Sequence, residues 1–342
     1  MSGPVTIFVT GVTGFIGGTV VNRLLTHPNA ASFKITVLVR TSEKAEKFKP
    51  LGVDTIIGSY TDKDLKFLTD AAANSDVVIA AADADNLAAA TAILEGLKIR
   101  HEKTGKAPIL IHTSGTAFIG DNAAGLRSEE STYSDLEVER LNAIPVSVVH
   151  RNVDIPIIEA DKAGVIQGYI VAPSVVFGVP TGPLAENKIQ NVHSIIVPAL
   201  VRAALDRKRA AYIGKGLNRW SATNVNETAD LYALILDAAL KGPAAAPHGY
   251  YFAESLKYSA IDCAGKIGEA LVELGLITEK EPNAFFAEEL NKYFGPLWPI
   301  LAANSVAKGD RGRALGWKPV ATLDDFLADV KEEAKRLASE TK

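Results

Sequence analysis

The chain has 342 residues, of which 47% are hydrophobic and 22% charged, with a net charge of −4, enough to build one large or two ordinary domains around a sizeable core. The mild acidity gives no electrostatic footprint for nucleic acid, and the single cysteine, Cys263, excludes an internal disulfide and a multi-cysteine metal centre. No run of 18 apolar residues and no signal-peptide pattern occurs, so the expectation is a cytoplasmic protein with a small-molecule substrate and no membrane partner.

The first apolar run, VTIFVT (5–10), reads as a strand. It is followed by GVTGFIGG (11–18) and then by the helical pattern Phe15, Ile16, Val20, Leu24. Gly11, Gly14 and Gly17 therefore lie between a strand and a helix. Gly11 would permit the tight turn, Gly14 would let backbone approach phosphates, and Gly17 would let helix pack on strand, with the helix N–H groups facing an anion. KITVLV (34–39) is the second strand, and Arg40 follows it with Ser42 and Lys44 close behind. A carboxylate there would bond the ribose hydroxyl of NAD; an arginine suits the 2′-phosphate of NADP, so the expected cofactor is NADP(H).

DTII (54–57), DVVIAA (76–81) and PILIHT (108–113) continue the series, with helical patterns in the gaps. Continuous apolarity suits strands covered on both faces, and the alternation implies a Rossmann-type, doubly wound parallel α/β sheet. Ser114 follows the fifth strand, where the carboxyl edge of such a sheet meets its ligand crevice. Asn-Ala-Ala-Gly (122–125) and Gly-Val-Pro-Thr-Gly-Pro (178–183) mark longer loops. FFAEELNKYFGPLWP (285–299) concentrates Phe285, Phe286, Tyr293, Phe294 and Trp298, which fit the core of a smaller lobe. The six histidines show no ligand spacing, so no metal is expected.

At these residues the sequence resembles the extended and atypical short-chain dehydrogenase/reductases. TGVTGFIG (10–17) matches their TGxxGxxG, HTSGT (112–116) is similar to the strand end carrying their catalytic serine or threonine, and APSVVFG (172–178) to their RPxxVYG segment. RWSATNVNETADLY (219–232) and ALGWKP (314–319) are similar to later landmarks, and VRTSEK (39–44) is most like the NADPH-dependent dihydroflavonol and cinnamoyl-CoA reductases. The resemblance implies an NADP-binding domain over 1–172, joined by about 218–245, and a mainly substrate-binding lobe over 173–342. It implies cofactor contacts from Thr10, Gly11, Gly14, Phe15, Ile16, Gly17, Arg40, Ser42, Lys44, Ala81, Thr113, Pro173 and Val175.

The chain departs from the family at its Tyr-x-x-x-Lys pair, which is absent. Counting back from APSVVFG places SVVHR (147–151) there, with Ser147 in the tyrosine's place and Arg151 in the lysine's, at the start of a helix that contains Pro156. Ser114 is then the expected residue to polarise a carbonyl oxygen, with His150 or Tyr133 as the proton donor. The expected function is reduction of a small apolar or aromatic carbonyl compound. The alternatives are a nucleotide-sugar epimerase or dehydratase, in which Arg219 matches a diphosphate-gripping arginine, and an NADP redox sensor without turnover. A homodimer through the segments near 87–104 and 152–163 is also expected.

Overall fold

A computed structural model describes residues 3–128, 131–242 and 244–340. The first half alternates strand and helix: β1 (Val5–Thr10), α1 (Phe15–Leu25), β2 (Phe33–Val39), α2 (Ser42–Phe48), β3 (Asp54–Ile57), α3 (Lys66–Ala73), β4 (Val77–Ala80), α4 (Leu87–Thr104) and β5 (Ile109–Thr113). A short β6 (Thr132–Ser134) and α5 (Val138–Asn142) precede α6 (Arg151–Lys162), β7 (Gln167–Pro173) and β8 (Val175–Phe177). Then come α7 (Pro183–Glu186), α8 (Ile196–Arg207), β9 (Arg209–Tyr212), β10 (Arg219–Asn224), α9 (Val225–Leu240) and β11 (Gly249–Ala253). The chain closes with β12 (Leu256–Ser259), α10 (Ala260–Glu273), β13 (Glu279–Ala284), α11 (Ala287–Phe294), α12 (Trp298–Leu301), β14 (Val306–Lys308), α13 (Asp310–Ala314) and α14 (Leu323–Glu340).

Seven strands form one parallel sheet in the order β11-β7-β5-β4-β1-β2-β3. β4, β5 and β1 are buried along nearly their whole length, as continuous apolar runs covered on both faces must be. One face packs Val9, Val37 and Ile79 against Val20, Leu24, Leu231 and Ile235 of α1 and α9; the other packs Phe8, Val78 and Leu110 against Leu68, Ile93, Leu97 and Ile157 of α3, α4 and α6. The fold is therefore the expected doubly wound α/β sheet. Its direction reverses beside β1, since the chain winds out to β3 and then returns to β4 on the other side, and it is outside the carboxyl ends of the strands at such a switch point that open α/β sheets bind ligands.

The second lobe holds a three-stranded sheet, β12-β10-β8, and the pair β13-β9. Its cores gather Val175, Phe177, Trp220, Tyr258 and Phe326, and separately Phe285 and Phe294 with Tyr293 and Trp298 packed on them. Phe286, of the same aromatic run, is 61% exposed. The chain returns to the large sheet through α9 and β11, while β10 belongs to the smaller one. No helix among the described residues is long and apolar enough to cross a membrane.

Candidate active site

The β1–α1 turn lies at the switch point. Gly11 has φ +73°, a conformation that favours glycine, and a Cβ there would stand 2.0 Å from the Ala81 carbonyl oxygen just beyond β4. A Cβ on Gly17 would come within 2.4 Å of the Gly11 carbonyl. Gly14 caps α1 with extended backbone and no side-chain bond, so the first N–H groups of the helix, on Phe15 and Ile16, have no side chain over them. Phe15 is buried and Ile16 packs on the core, which anchors this end of the helix. The Thr10 hydroxyl pairs with the Tyr60 hydroxyl at 2.8 Å.

At the end of β2, Arg40 is exposed and makes no hydrogen bond or ion pair among the described residues. Thr41 caps α2 by accepting from the Lys44 N–H, so exposed Ser42 and half-buried Lys44 sit in the first turn of a helix that begins beside Arg40. Thr113, Pro173 and Val175 lie at or just past the ends of β5 and β7, on the same edge, and all three are buried. The Thr113 hydroxyl is held by that of Tyr232 at 2.6 Å.

The catalytic candidates are arranged differently from the expectation. The helix begins at Arg151, and residues 147–150 are turns, because His150 takes a left-handed conformation (φ +69°) that ends any helix before it. Pro156 is accommodated inside α6. Arg151 does not stand where a lysine could hold a ribose: it is 1% exposed, and its guanidinium donates to the carbonyls of Ile144 and Asn142 and to the Tyr250 hydroxyl. A buried guanidinium must satisfy its donors within the protein, and here the preceding loop and β11 do so. Tyr133 lies on β6 with its ring 3.6 Å beneath the Arg140 guanidinium, and no hydrogen bond among the described residues ties it to Ser114 or His150.

His150 is brought beside the chain that leaves β5. Its Nδ1 and its main-chain N–H both meet Oδ1 of Asp85, each at 2.9 Å, and a Cβ placed on Gly115 would lie 3.0 Å from its Nε2. The imidazole is thus oriented by a carboxylate, with the other ring nitrogen directed at the chain leaving β5. Ser114 is adjacent but faces inward: it is 7% exposed and its hydroxyl donates to Oδ2 of Asp154 at 3.1 Å. Asp154 has no exposed surface, and burial pushes its carboxyl up to about 7. His112 is buried beside it, and burial, aided by the charge of His150, pushes its imidazole down to about 3, so it is neutral at any ordinary pH.

Asp85, Asp154 and Tyr250 were invisible as site residues in the sequence, since none belongs to a motif. The only available signal was the spacing of His150, Arg151 and Asp154 on one presumed helix face.

Residues 4–100 match the NmrA-like family. Over nearly its whole length the chain is similar to an oxidase, ucsJ, of an Acremonium species (26% identity, covering 97% of this chain and 98% of that protein). It is also similar to an uncharacterized protein of Schizosaccharomyces pombe (28%, covering 96% and 99%). Among solved structures it resembles the UDP-glucuronic acid 4-epimerase of Bacillus cereus, solved with UDP-glucuronic acid and NAD, at 16% identity and a TM-score of 0.62 over 97% of this chain and 99% of that one. With an NmrA-like first hundred residues and this layout from end to end, the chain has the fold of the extended short-chain dehydrogenase/reductase superfamily.

Proposed function

We propose that the chain is an NADP(H)-dependent oxidoreductase that reduces a small apolar or aromatic carbonyl compound. The observation that carries this reading is the Asp85–His150 pair at the crevice: an oriented imidazole supplies the acid that the absent tyrosine would have supplied.

The residues fit a dinucleotide. The close-packed glycine turn and the uncapped start of α1 suit a pyrophosphate, and the exposed Arg40, with Ser42 and Lys44, suits a 2′-phosphate. Ala81, Thr113, Pro173 and Val175 would line the remaining length of the cofactor. Bound there, the nicotinamide supplies a hydride. His150 would hold the proton at Nε2 and release it to the carbonyl oxygen, while Asp85 steadies the imidazolium and fixes the ring. Support for a redox role comes from the relative named as an oxidase, and support for the cofactor class from the epimerase solved with NAD. Leu126 and Leu217, exposed on two loops that a bond from the Leu217 N–H to the Gly125 carbonyl joins, suit an apolar substrate.

The test is NADPH oxidation with a panel of aldehydes, ketones and enones, run beside UDP-sugars. Turnover of a carbonyl compound that His150→Gln lowers by roughly 10²–10⁴ is the expected result. Conversion of a UDP-sugar without net NADPH consumption would replace this reading with epimerisation. Tight NADP(H) binding with no turnover on any compound would replace it with redox sensing.

A further inference from the structure

Asp154 lies in the first turn of α6 with no exposed surface, and its two oxygens are treated unequally. Oδ2 accepts from the Ser114 hydroxyl at 3.1 Å and from the Tyr250 hydroxyl at 2.9 Å. Among the described residues Oδ1 has no hydrogen-bond partner, and it stands 3.9 Å from Nε2 of His112, which also has none among them. Four charged or titratable groups face it. Tyr250 from β11 is pushed up by burial and stays an O–H donor; Arg151 on α6 donates to that same Tyr250 oxygen. His112 on β5 is neutral, Asp85 acts from the loop after β4, and His150 acts on His112. Burial raises Asp154, the Tyr250 and Ser114 bonds and Arg151 oppose the rise, and Asp85 adds to it. Its carboxyl changes state near neutrality while remaining joined to the serine at the crevice.

Resting on the reductase reading, we propose that Asp154 is a positioning residue whose protonation state decides which way the Ser114 hydroxyl points. As a carboxylate it holds the Ser114 hydrogen inward, and only the serine lone pairs face the crevice. As a carboxylic acid it donates its own O–H to Ser114 Oγ, since the Tyr250 oxygen is already engaged by Arg151. The Ser114 hydrogen is then free to bond a substrate oxygen. The proton that changes Asp154 comes from solvent, and no covalent bond is made or broken.

Asp154→Asn tests this, because an amide whose Nδ2 takes the place of Oδ2 donates to Ser114 Oγ at every pH. Single-turnover NADPH oxidation is measured in a His150→Gln background, which removes the imidazole. The expected rate falls about tenfold per pH unit above the Asp154 midpoint near pH 7, and His150→Gln/Asp154→Asn stays flat from pH 6 to 9 at the low-pH value. Adding Ser114→Ala removes that gain. A merely structural Asp154 would leave the alkaline fall in place or lower the rate equally at every pH, and either result overturns the proposal.

A second measurement needs no substrate. Infrared difference spectra between pH 6 and 8.5 are expected to show a carboxylic-acid carbonyl band that is absent in Asp154→Asn and displaced in Ser114→Ala. A wild-type spectrum without the band, or a band that Ser114→Ala leaves in place, overturns the proposal even in an active reductase. The band present and displaced, with no carbonyl compound turned over, overturns the reductase reading and upholds the Asp154–Ser114 coupling.

Discussion

A single carboxylate oxygen of Asp85 bonds His150 twice, at the ring Nδ1 and at the main-chain N–H, each at 2.9 Å. This pair of bonds holds a non-glycine residue at φ +69°, a conformation that costs roughly 1–2 kcal/mol. Strain of this kind gathers at functional sites, where the surroundings over-determine the geometry.

His150→Gly is therefore expected to relieve the strain, leaving the thermal midpoint unchanged or higher, while turnover falls with that of His150→Gln. Asp85→Asn keeps a side chain of the same size but a weaker partner for an imidazolium, and is expected to lower turnover by about tenfold or more. Paired melting curves and kinetics check both. A His150→Gly protein that is less stable and fully active would remove the residue from the site.

Arg40 stands exposed and, among the described residues, unpaired beside the start of α2, whose cap is Thr41. Arg40→Asp leaves that cap in place and replaces a 2′-phosphate partner with a 2′-hydroxyl acceptor. A charge-assisted bond contributes about 1.5–3 kcal/mol, so NADPH affinity should drop by one to two decades while NADH affinity rises. Calorimetry on both cofactors decides the point, and equal affinities in the parent chain would refute the assignment.

Gly17 has no room for a side chain, since its Cβ would meet the Gly11 backbone at 2.4 Å, and backbone cannot swing aside as a side chain can. Gly17→Ala should reduce NADP(H) binding at least tenfold and lower the thermal midpoint. Gly265→Ala, inside α10 with nothing within 4 Å of the new Cβ, is the matched control. It should stabilise the chain by about 0.5–1 kcal/mol and leave cofactor binding alone.

His193 ties the loop after α7 to the C-terminal helix. Its Nδ1 meets Glu333 at 2.6 Å and its Nε2 meets Glu340 at 2.9 Å, so both ring nitrogens must carry protons for both bonds to form. Burial alone would lower its pKa, but the two carboxylates together raise it above the usual 6.5. A raised histidine pKa means stability fully present below about pH 6.5 and lost as pH climbs through the folded value. His193→Gln should accordingly cost more stability at pH 6 than at pH 9 in urea melts. An equal cost at both would show that the imidazolium is not what holds the loop.

Local pattern alone determined the frame. The apolar runs at 5–10, 34–39, 54–57, 76–81 and 108–113 are strands to within a residue at either end, because a strand covered on both faces must be apolar throughout and helices between parallel strands must be amphipathic. The glycine turn was legible for the same reason: its spacing reflects contacts within one strand–turn–helix unit. The chemistry of the site was not. Asp85 and His150 are 65 residues apart, Ser114 and Asp154 40, and Asp154 and Tyr250 96. No period along the chain records such pairs. The serine was legible as the residue that follows the fifth strand, but which way its hydroxyl faces depends on a carboxyl carried by α6. Arg151 could be numbered into a lysine's place, yet its direction is set by Tyr250, which reaches it only because β11 inserts beside β7. Burial of a charged group requires partners on every side, and only the tertiary structure decides from which elements those partners come.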